Sequence, residues 1–361
     1  VNIKVKRSDL LHALAAADGV ARPNQIPLLE CVLLTATGKD AVDIAATDTA
    51  LTISATIASN NSKTGSIAMH AKRLRDVTKL APDDTISIVA LDNSFIEIKS
   101  GKANYKLAAY AGRDFPKIPG PRGDGKTLTL DGDVLKQLID RTLFSASDDI
   151  TRMHITGALL EVNAGVASMT STDGHRLSRA TAACTADDLT ALIPKDALAK
   201  IARIAHGEVE IIVEPTRIFV RTDSLTMSAS LIDAKFPPYD SFLRIECRHT
   251  IEINRADLIA SIERTRVTTT TERGMHITGG SAALVFSSSD PDVGEVSDEI
   301  AVEGVTKAIS SCVAPKYLLE PLSKITDDTI KLKMSGELDP IVLETAGAIS
   351  YLSVVMPMRR S

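Results

Sequence analysis

One pattern occurs three times in this chain at a spacing close to a third of its length, and that repeat limits the possible folds more than any other feature. Asp9-Leu10-Leu11, Asp133-Val134-Leu135 and Asp257-Leu258-Ile259 follow one another at steps of 124 residues. A second series interleaves with the first: Ala71-Lys72-Arg73-Leu74, Pro194-Lys195-Asp196-Ala197 and Pro315-Lys316-Tyr317-Leu318, at steps of 123 and 121. A period this long is a whole domain, not a solenoid unit. In 361 residues it selects three domains of about 120 residues each.

Each repeat divides again into two halves that read strand, helix, three strands, so the fold class is α+β with six βαβββ units. In the first half, residues 3–6 alternate as a strand does. Residues 8–17 carry the stripe Leu10, Leu11, Leu14 behind a Ser8 or Asp9 cap. Segments 28–35, 41–47 and 51–57 are expected strands. The second half repeats the order with a strand at 66–69, a helix at 71–80 stopped before Pro82, and strands at 85–90, 95–100 and 103–109. The same unit traces near 127–183, 190–232, 250–302 and 304–356. Asp114-Phe115-Pro116 and Lys235-Phe236-Pro237 close the first two repeats, and Gly120-Pro121-Arg122-Gly123-Asp124-Gly125 reads as a linker. The expected domains are 1–120, 127–245 and 248–361. The acidic stretch 290–295 is expected as an exposed loop. Pro321 is expected to kink or start the last helix.

A hydrophobic fraction of 44% suffices for three cores, and with no Trp and 3% aromatics these are built from Leu, Ile, Val and Ala. Cys31, Cys184, Cys247 and Cys312 are scattered without metal-ligand or disulfide-framework spacing, which points to reduced thiols and no metal or other cofactor. No run approaches the ~18 apolar residues of a membrane span, and Val1-Asn2-Ile3-Lys4-Val5 reads as a strand, not a signal peptide. A cytoplasmic protein without a membrane partner is expected.

The charge is segregated. The expected helices carry a formal +3 over 71–80, +2 over 195–204 and +1 over 316–325, with −1 over 8–17 and zero over 133–143 and 255–264. They sum to +5 in a chain whose net charge is −5. Helices that all face one way would give a basic surface backed by acidic sheets. Such a surface attracts the phosphates of duplex DNA, one charge per ~1.7 Å of axis, without reading sequence. Solvated helix faces account for the same charges.

Two further motifs stand out. Thr172-Asp173-Gly174-His175-Arg176-Leu177-Ser178 follows a strand, and Asp173 with His175 could be an acid–base pair, though no nucleophile accompanies them and Gly174 marks a turn. The end of the chain, Val354-Val355-Met356-Pro357-Met358-Arg359, is apolar and Met-rich, as a core strand or a pocket wall would be.

Thr172 to Leu177, Phe236-Pro237-Pro238-Tyr239 and the terminal Val-Val-Met-Pro-Met-Arg together resemble the bacterial DNA polymerase III beta subunit family, the sliding clamps, over the full chain. The resemblance implies three clamp-like domains in a half-ring. Two chains join head to tail as a homodimer around double-stranded DNA, helices lining the inside and sheets outside. It implies a non-catalytic processivity factor for DNA replication, with a pocket for short linear peptides lined by Ile155, Thr172, Gly174, His175, Arg176, Leu177, Pro237, Phe242, Val354, Met356, Pro357, Met358 and Arg359. Its peptide-borne partners would be the DNA polymerase III alpha subunit, the clamp loader, repair polymerases, mismatch-repair proteins and ligase. DNA-binding positions carry over to Arg22, Lys72, Arg73, Arg152, Met153, His154, Lys195, Lys200 and Arg203. The dimer interface would bring Tyr105 and Leu107 against Arg266 and Val267. The chain departs from the family pattern at Met153 and His154, where an aromatic pair is usual, at Asp149, where an amide is common, and at Ser241, which replaces a basic residue. Two other readings are a clamp-like paralogue that binds partners without serving replication, and a hydrolase centred on Asp173 and His175.

Overall fold

The computed structural model describes residues 1–91, 93–270, 273–280, 282–303 and 309–358. All six half-repeats are present. The first is β1 (Asn2–Lys6), α1 (Arg7–Ala17), β2 (Cys31–Ala36), β3 (Ala41–Thr47) and β4 (Leu51–Lys63). The second is β5 (Gly65–His70), α2 (Ala71–Leu80), β6 (Thr85–Ala90), β7 (Phe95–Ser100) and β8 (Ala103–Ala108), trailed by the two-residue β9 (Tyr110–Ala111). The third is β10 (Lys126–Asp131), α3 (Gly132–Asp140), β11 (Gly157–Asn163), β12 (Val166–Thr172) and β13 (Arg176–Ala183). The fourth is β14 (Leu189–Pro194), α4 (Lys195–Ile204), β15 (Glu208–Val213), β16 (Arg217–Arg221) and β17 (Leu225–Ser230), and a single turn, α5 (Asp240–Leu243), follows. The fifth is β18 (His249–Asn254), α6 (Arg255–Thr265), β19 (Met275–Gly279), β20 (Ala283–Asp290) and β21 (Gly294–Ala301). The sixth is β22 (Ile309–Val313), α7 (Pro315–Lys324), β23 (Thr329–Met334), β24 (Ile341–Thr345) and β25 (Ser350–Val355).

Three local expectations change. Residues 27–30 form a 3-10 turn instead of the start of a strand, because Pro27 has no N–H for a ladder and its fixed φ suits the first position of a helical turn. The stretch 290–295 is a tight hairpin: Asp290 is only 8% exposed at the end of β20, and β21 resumes at Gly294, whose φ of +125° no other residue adopts readily. Helix α7 starts on Pro315 and runs through Pro321, which leaves the Tyr317 carbonyl without its i+4 backbone donor.

The strands pair by one rule in all three repeats. The first strand of each half lies antiparallel to the second strand of the other half: β1 with β6 and β5 with β2, β10 with β15 and β14 with β11, β18 with β23 and β22 with β19. The repeats are then joined by their last strands, β4 with β17 and β13 with β25. Half of the central repeat thereby shares a sheet with the first repeat and the other half with the third. The chain accordingly clusters as two compact units, Val1–Asp133 with Lys200–Leu231, and Val134–Ala199 with Ile232–Ser361.

In the first unit Ile3, Leu10, Leu14, Leu74, Ile86 and Ile88 are sealed from solvent, each contributing about 1.5–3 kcal/mol by burial. Helix α2 turns Leu74 and Thr78 inward against α1 and leaves Lys72, Arg73 and Lys79 exposed. In the second unit α6 and α7 pack together over Leu258, Ile262, Leu318 and Leu322.

Candidate functional site

The β12–β13 hairpin organises the site. Thr172 ends β12, and its hydroxyl donates to the Arg176 carbonyl at 2.6 Å and accepts the Gly174 N–H at 3.1 Å. Asp173 accepts the backbone N–H groups of His175 and Arg176 at 2.9 and 3.0 Å with one oxygen, and Arg176 Nε at 3.0 Å with the other. Gly174 closes the turn at φ +92°. A Cβ there would stand 2.8 Å from Arg152 Nη2, and Arg152 Nη1 donates to the Asp173 carbonyl at 3.0 Å. The Asp173 carboxylate is thus spent on the turn and on Arg176. It makes no bond to the His175 ring, which instead lies parallel to Tyr317 with centroids 6.4 Å apart. Nothing here forms the acid–base pair a hydrolase would need.

Arg176 is buried. Besides Asp173 it donates to the Phe144 carbonyl at 2.7 Å and to the Glu320 carboxylate, and it lies between the Phe144 and Tyr317 rings at 5.2 and 4.7 Å. Beside it opens a cleft of about 200 Å³. Four separate stretches supply its walls: Arg152, His154 and Ile155; Thr172, Gly174, Arg176 and Leu177; Pro237, Pro238, Tyr239 and Phe242; Val354 and Met356. Its floor is apolar, with Leu177 and Val354 packed on Val342 and carrying Tyr239 and Phe242. Tyr239 is fixed edge-on to Phe236 at 5.9 Å, and its hydroxyl donates to Glu161. Burial first, and Glu161 second, push its phenol pKa up. Met356 is anchored through its N–H to the His175 carbonyl at 2.9 Å. A groove of apolar walls with a few fixed polar groups suits a short peptide that presents apolar side chains.

Family models of the DNA polymerase III beta subunit match in chain order: the N-terminal domain over residues 1–119, the central domain over 129–238 and the C-terminal domain over 244–359. The chain belongs to the DNA polymerase III beta subunit family. The beta sliding clamp of Pseudomonas putida is 27% identical, across 99% of this chain and 100% of that protein, and that of Synechococcus elongatus is 25% identical across 94% and 93%. The crystal structure of the DNA polymerase III subunit beta from Pseudomonas aeruginosa superposes over the whole of both chains with a TM-score of 0.93 at 26% identity. The Bacillus subtilis sliding clamp, at 22% identity and a TM-score of 0.92, shares the fold. The protein is a sliding clamp of DNA replication and has no catalysis of its own.

Of the expected pocket positions, the clamp brings Ile155, Thr172, Gly174, Arg176, Leu177, Pro237, Phe242, Val354 and Met356 to one cleft. His175 turns away onto Tyr317. Met358 lines a neighbouring hollow of about 620 Å³ with Arg266, Lys316, Tyr317 and Glu320, and Pro357 lines neither. Arg359 lies outside the described residues. Sequence reasoning missed Pro238 and Tyr239, although both stand in the Phe-Pro-Pro-Tyr motif. It also placed Arg152 and His154 only on DNA, whereas both line the cleft.

Of the other expected DNA positions, Arg22, Lys72, Arg73 and Arg203 are exposed. Lys195 pairs with Asp148 at 2.6 Å, and Lys200 lies against Gly19, its Cε 3.3 Å from where a Cβ would stand. Met153 is 58% exposed between two cleft residues. Tyr105 and Leu107 share one face of β8. Arg266 and Val267 fall in a 3-10 turn after α6, with Arg266 paired to Glu263 and Val267 73% exposed. Among the described residues no cluster of His, Cys, Asp or Glu is arranged to hold a metal, and no helix is long and apolar enough to cross a membrane.

Proposed function

We propose that two copies of this chain close head to tail into a ring around double-stranded DNA, and that the cleft tethers replication and repair proteins by short peptides. The observation that carries the ring is the joint rule of the fold. The last strand of one repeat's first half pairs with the last strand of the next repeat's second half, as β4 does with β17 and β13 with β25. By that rule β21 of one copy takes β8 of another. These are the two last strands left open: among the described residues β8 pairs only with β7, and β21 only with β20. Open edges are templates for pairing, and a closed ring removes them. Charge agrees, because β21 carries Glu295, Asp298 and Glu299 while β8 carries Lys106. Tyr105, Leu107, Arg266 and Val267 belong to this joint.

In this reading the three domains run 1–120, 127–245 and 248–361, and the protein works in the cytoplasm. Arg22, Lys72, Arg73, Lys195, Lys200 and Arg203 contact phosphates without reading bases, which lets the ring slide. Arg152, Met153 and His154 serve the cleft rim as well as DNA. The cleft takes peptides from the polymerase III alpha subunit, the clamp loader, repair polymerases, mismatch-repair proteins and ligase. Two or three buried Leu or Phe anchors at about 1.5–3 kcal/mol each, less ordering costs, give affinities on the order of micromolar, so partners exchange.

Light scattering on the full chain tests the ring: a mass about twice 38.5 kDa is expected, and a stable monomer at micromolar concentration overturns it. Primer extension by the cognate polymerase on a long circular template tests the role. Longer products are expected, and no gain favours a paralogue that binds partners without serving replication.

A further inference from the structure

The chain has eight methionines. Met69, Met169, Met227, Met275 and Met334 are sealed in the interior, each 2% exposed or less. Of the three that solvent reaches, one lines the cleft, one is next to cleft residues in sequence and one lines the neighbouring hollow. Met356 is 37% exposed in the cleft wall, Met153 stands between the lining residues Arg152 and His154, and Met358 lines the adjoining hollow. Oxidation of a thioether follows its exposure. The competing thiols are poor targets: Cys31 and Cys312 are buried, and burial raises the pKa of Cys184 and Cys247, which keeps them as thiols.

We infer that the cleft is a methionine-oxidation site, at which a peroxide converts Met356 to the sulfoxide and so weakens peptide docking. The inference rests on reading the cleft as the peptide site. The thioether sulfur attacks the O–O bond of hydrogen peroxide, a sulfur–oxygen bond forms, the sulfur gives up two electrons and the peroxide is reduced to water. The product places a polar S=O in a cleft whose apolar floor includes Leu177, Phe242 and Val354, where a peptide's apolar anchor would cover it. The backbone is unaffected, since Met356 and Met358 are held by N–H bonds to the carbonyls of His175 and Cys312 at 2.9 and 2.7 Å. The five core methionines stay out of reach, so the fold survives the reaction.

The test treats the full chain with hydrogen peroxide and maps oxidation by peptide mass spectrometry. Fluorescence anisotropy then follows binding of a fluorescein-labelled hexapeptide with two leucines and a terminal phenylalanine. Met153 and Met356 are expected to convert before any of the five buried methionines. Affinity falls about tenfold, within the range for a polar group buried without a partner. Far-UV circular dichroism stays constant, and methionine sulfoxide reductase with dithiothreitol restores binding. Met356→Leu, compared with its own untreated form, loses less than about twofold. Unchanged affinity with Met356 fully converted overturns the inference, as does equal loss in Met356→Leu or a collapse of the dichroism. Failure of the untreated chain to bind the peptide removes the docking reading itself, and the inference with it.

Discussion

The guanidinium carbon of Arg176 lies 4.7 Å above the ring centroid of Tyr317, and this contact ties the β12–β13 hairpin to helix α7. The same side chain holds Asp173 in its own hairpin, the Phe144 carbonyl in the turn after α3, and Glu320 one turn along α7. A planar fork with five donors can serve all of these at once, and a lysine cannot.

Replacing Arg176 therefore removes a buried hub. Arg176→Ala removes a buried guanidinium from Asp173, Glu320 and the Phe144 carbonyl at once and is expected to cost about 3–5 kcal/mol. Arg176→Lys recovers little of it, having neither the fork nor the stacking plane. Urea unfolding of the two variants checks both statements, and a lysine variant as stable as the parent would contradict the hub.

Gly174 is required by its φ of +92°, and a Cβ there would stand 2.8 Å from Arg152 Nη2, the movable end of that side chain. Gly174→Ala is expected to destabilise the chain by about 1–3 kcal/mol and to displace Arg152 from the cleft. Weaker peptide binding should accompany the lower unfolding midpoint. An alanine variant with parental peptide affinity would show that Arg152 does not shape the cleft.

Tyr351 gives the protein an alkaline limit. Full burial pushes its phenol up to about 12, a rise that Ser178, with its hydroxyl 3.1 Å from the phenol oxygen, partly offsets. Unfolded, it ionises near 10. Between those values the unfolded chain holds fewer protons than the folded one, so stability falls as pH rises through the window. Burial raises Tyr239 and Tyr317 in the same direction. Urea unfolding at a series of pH values from 9 to 12 is expected to show this slope, and Tyr351→Phe to flatten it.

Lys72 and Arg73 stand exposed on α2, and among the described residues neither makes an ion pair. If they meet phosphates, the double alanine variant weakens duplex binding equally for all sequences. It also lowers the slope of log affinity against log salt by about 2. Anisotropy titrations of a labelled duplex at several salt concentrations measure the slope, and an unchanged slope would take α2 off the DNA.

Much of the architecture was legible in the residues. Helix 71–80 and strands 41–47, 85–90 and 95–100 coincide with α2, β3, β6 and β7, because apolar periodicity and breakers such as Pro82 act locally. The threefold period fixed three equivalent pieces, each of two equivalent halves. Local pattern could not decide which strand meets which across the repeats. The β4–β17 and β13–β25 joints bring together residues 169 to 179 positions apart and divide the central repeat between two compact units. The cleft followed the same division. Its motifs were visible, but Tyr239 and Arg152 enter it only because Glu161 and the Asp173 carbonyl hold them there. The sequence by itself determined the elements and their repetition, since each arises from neighbours along the chain. The tertiary structure alone decided the joints, the open edges β8 and β21, and the reach of each side chain into the cleft, since those depend on packing between segments that the chain order keeps apart.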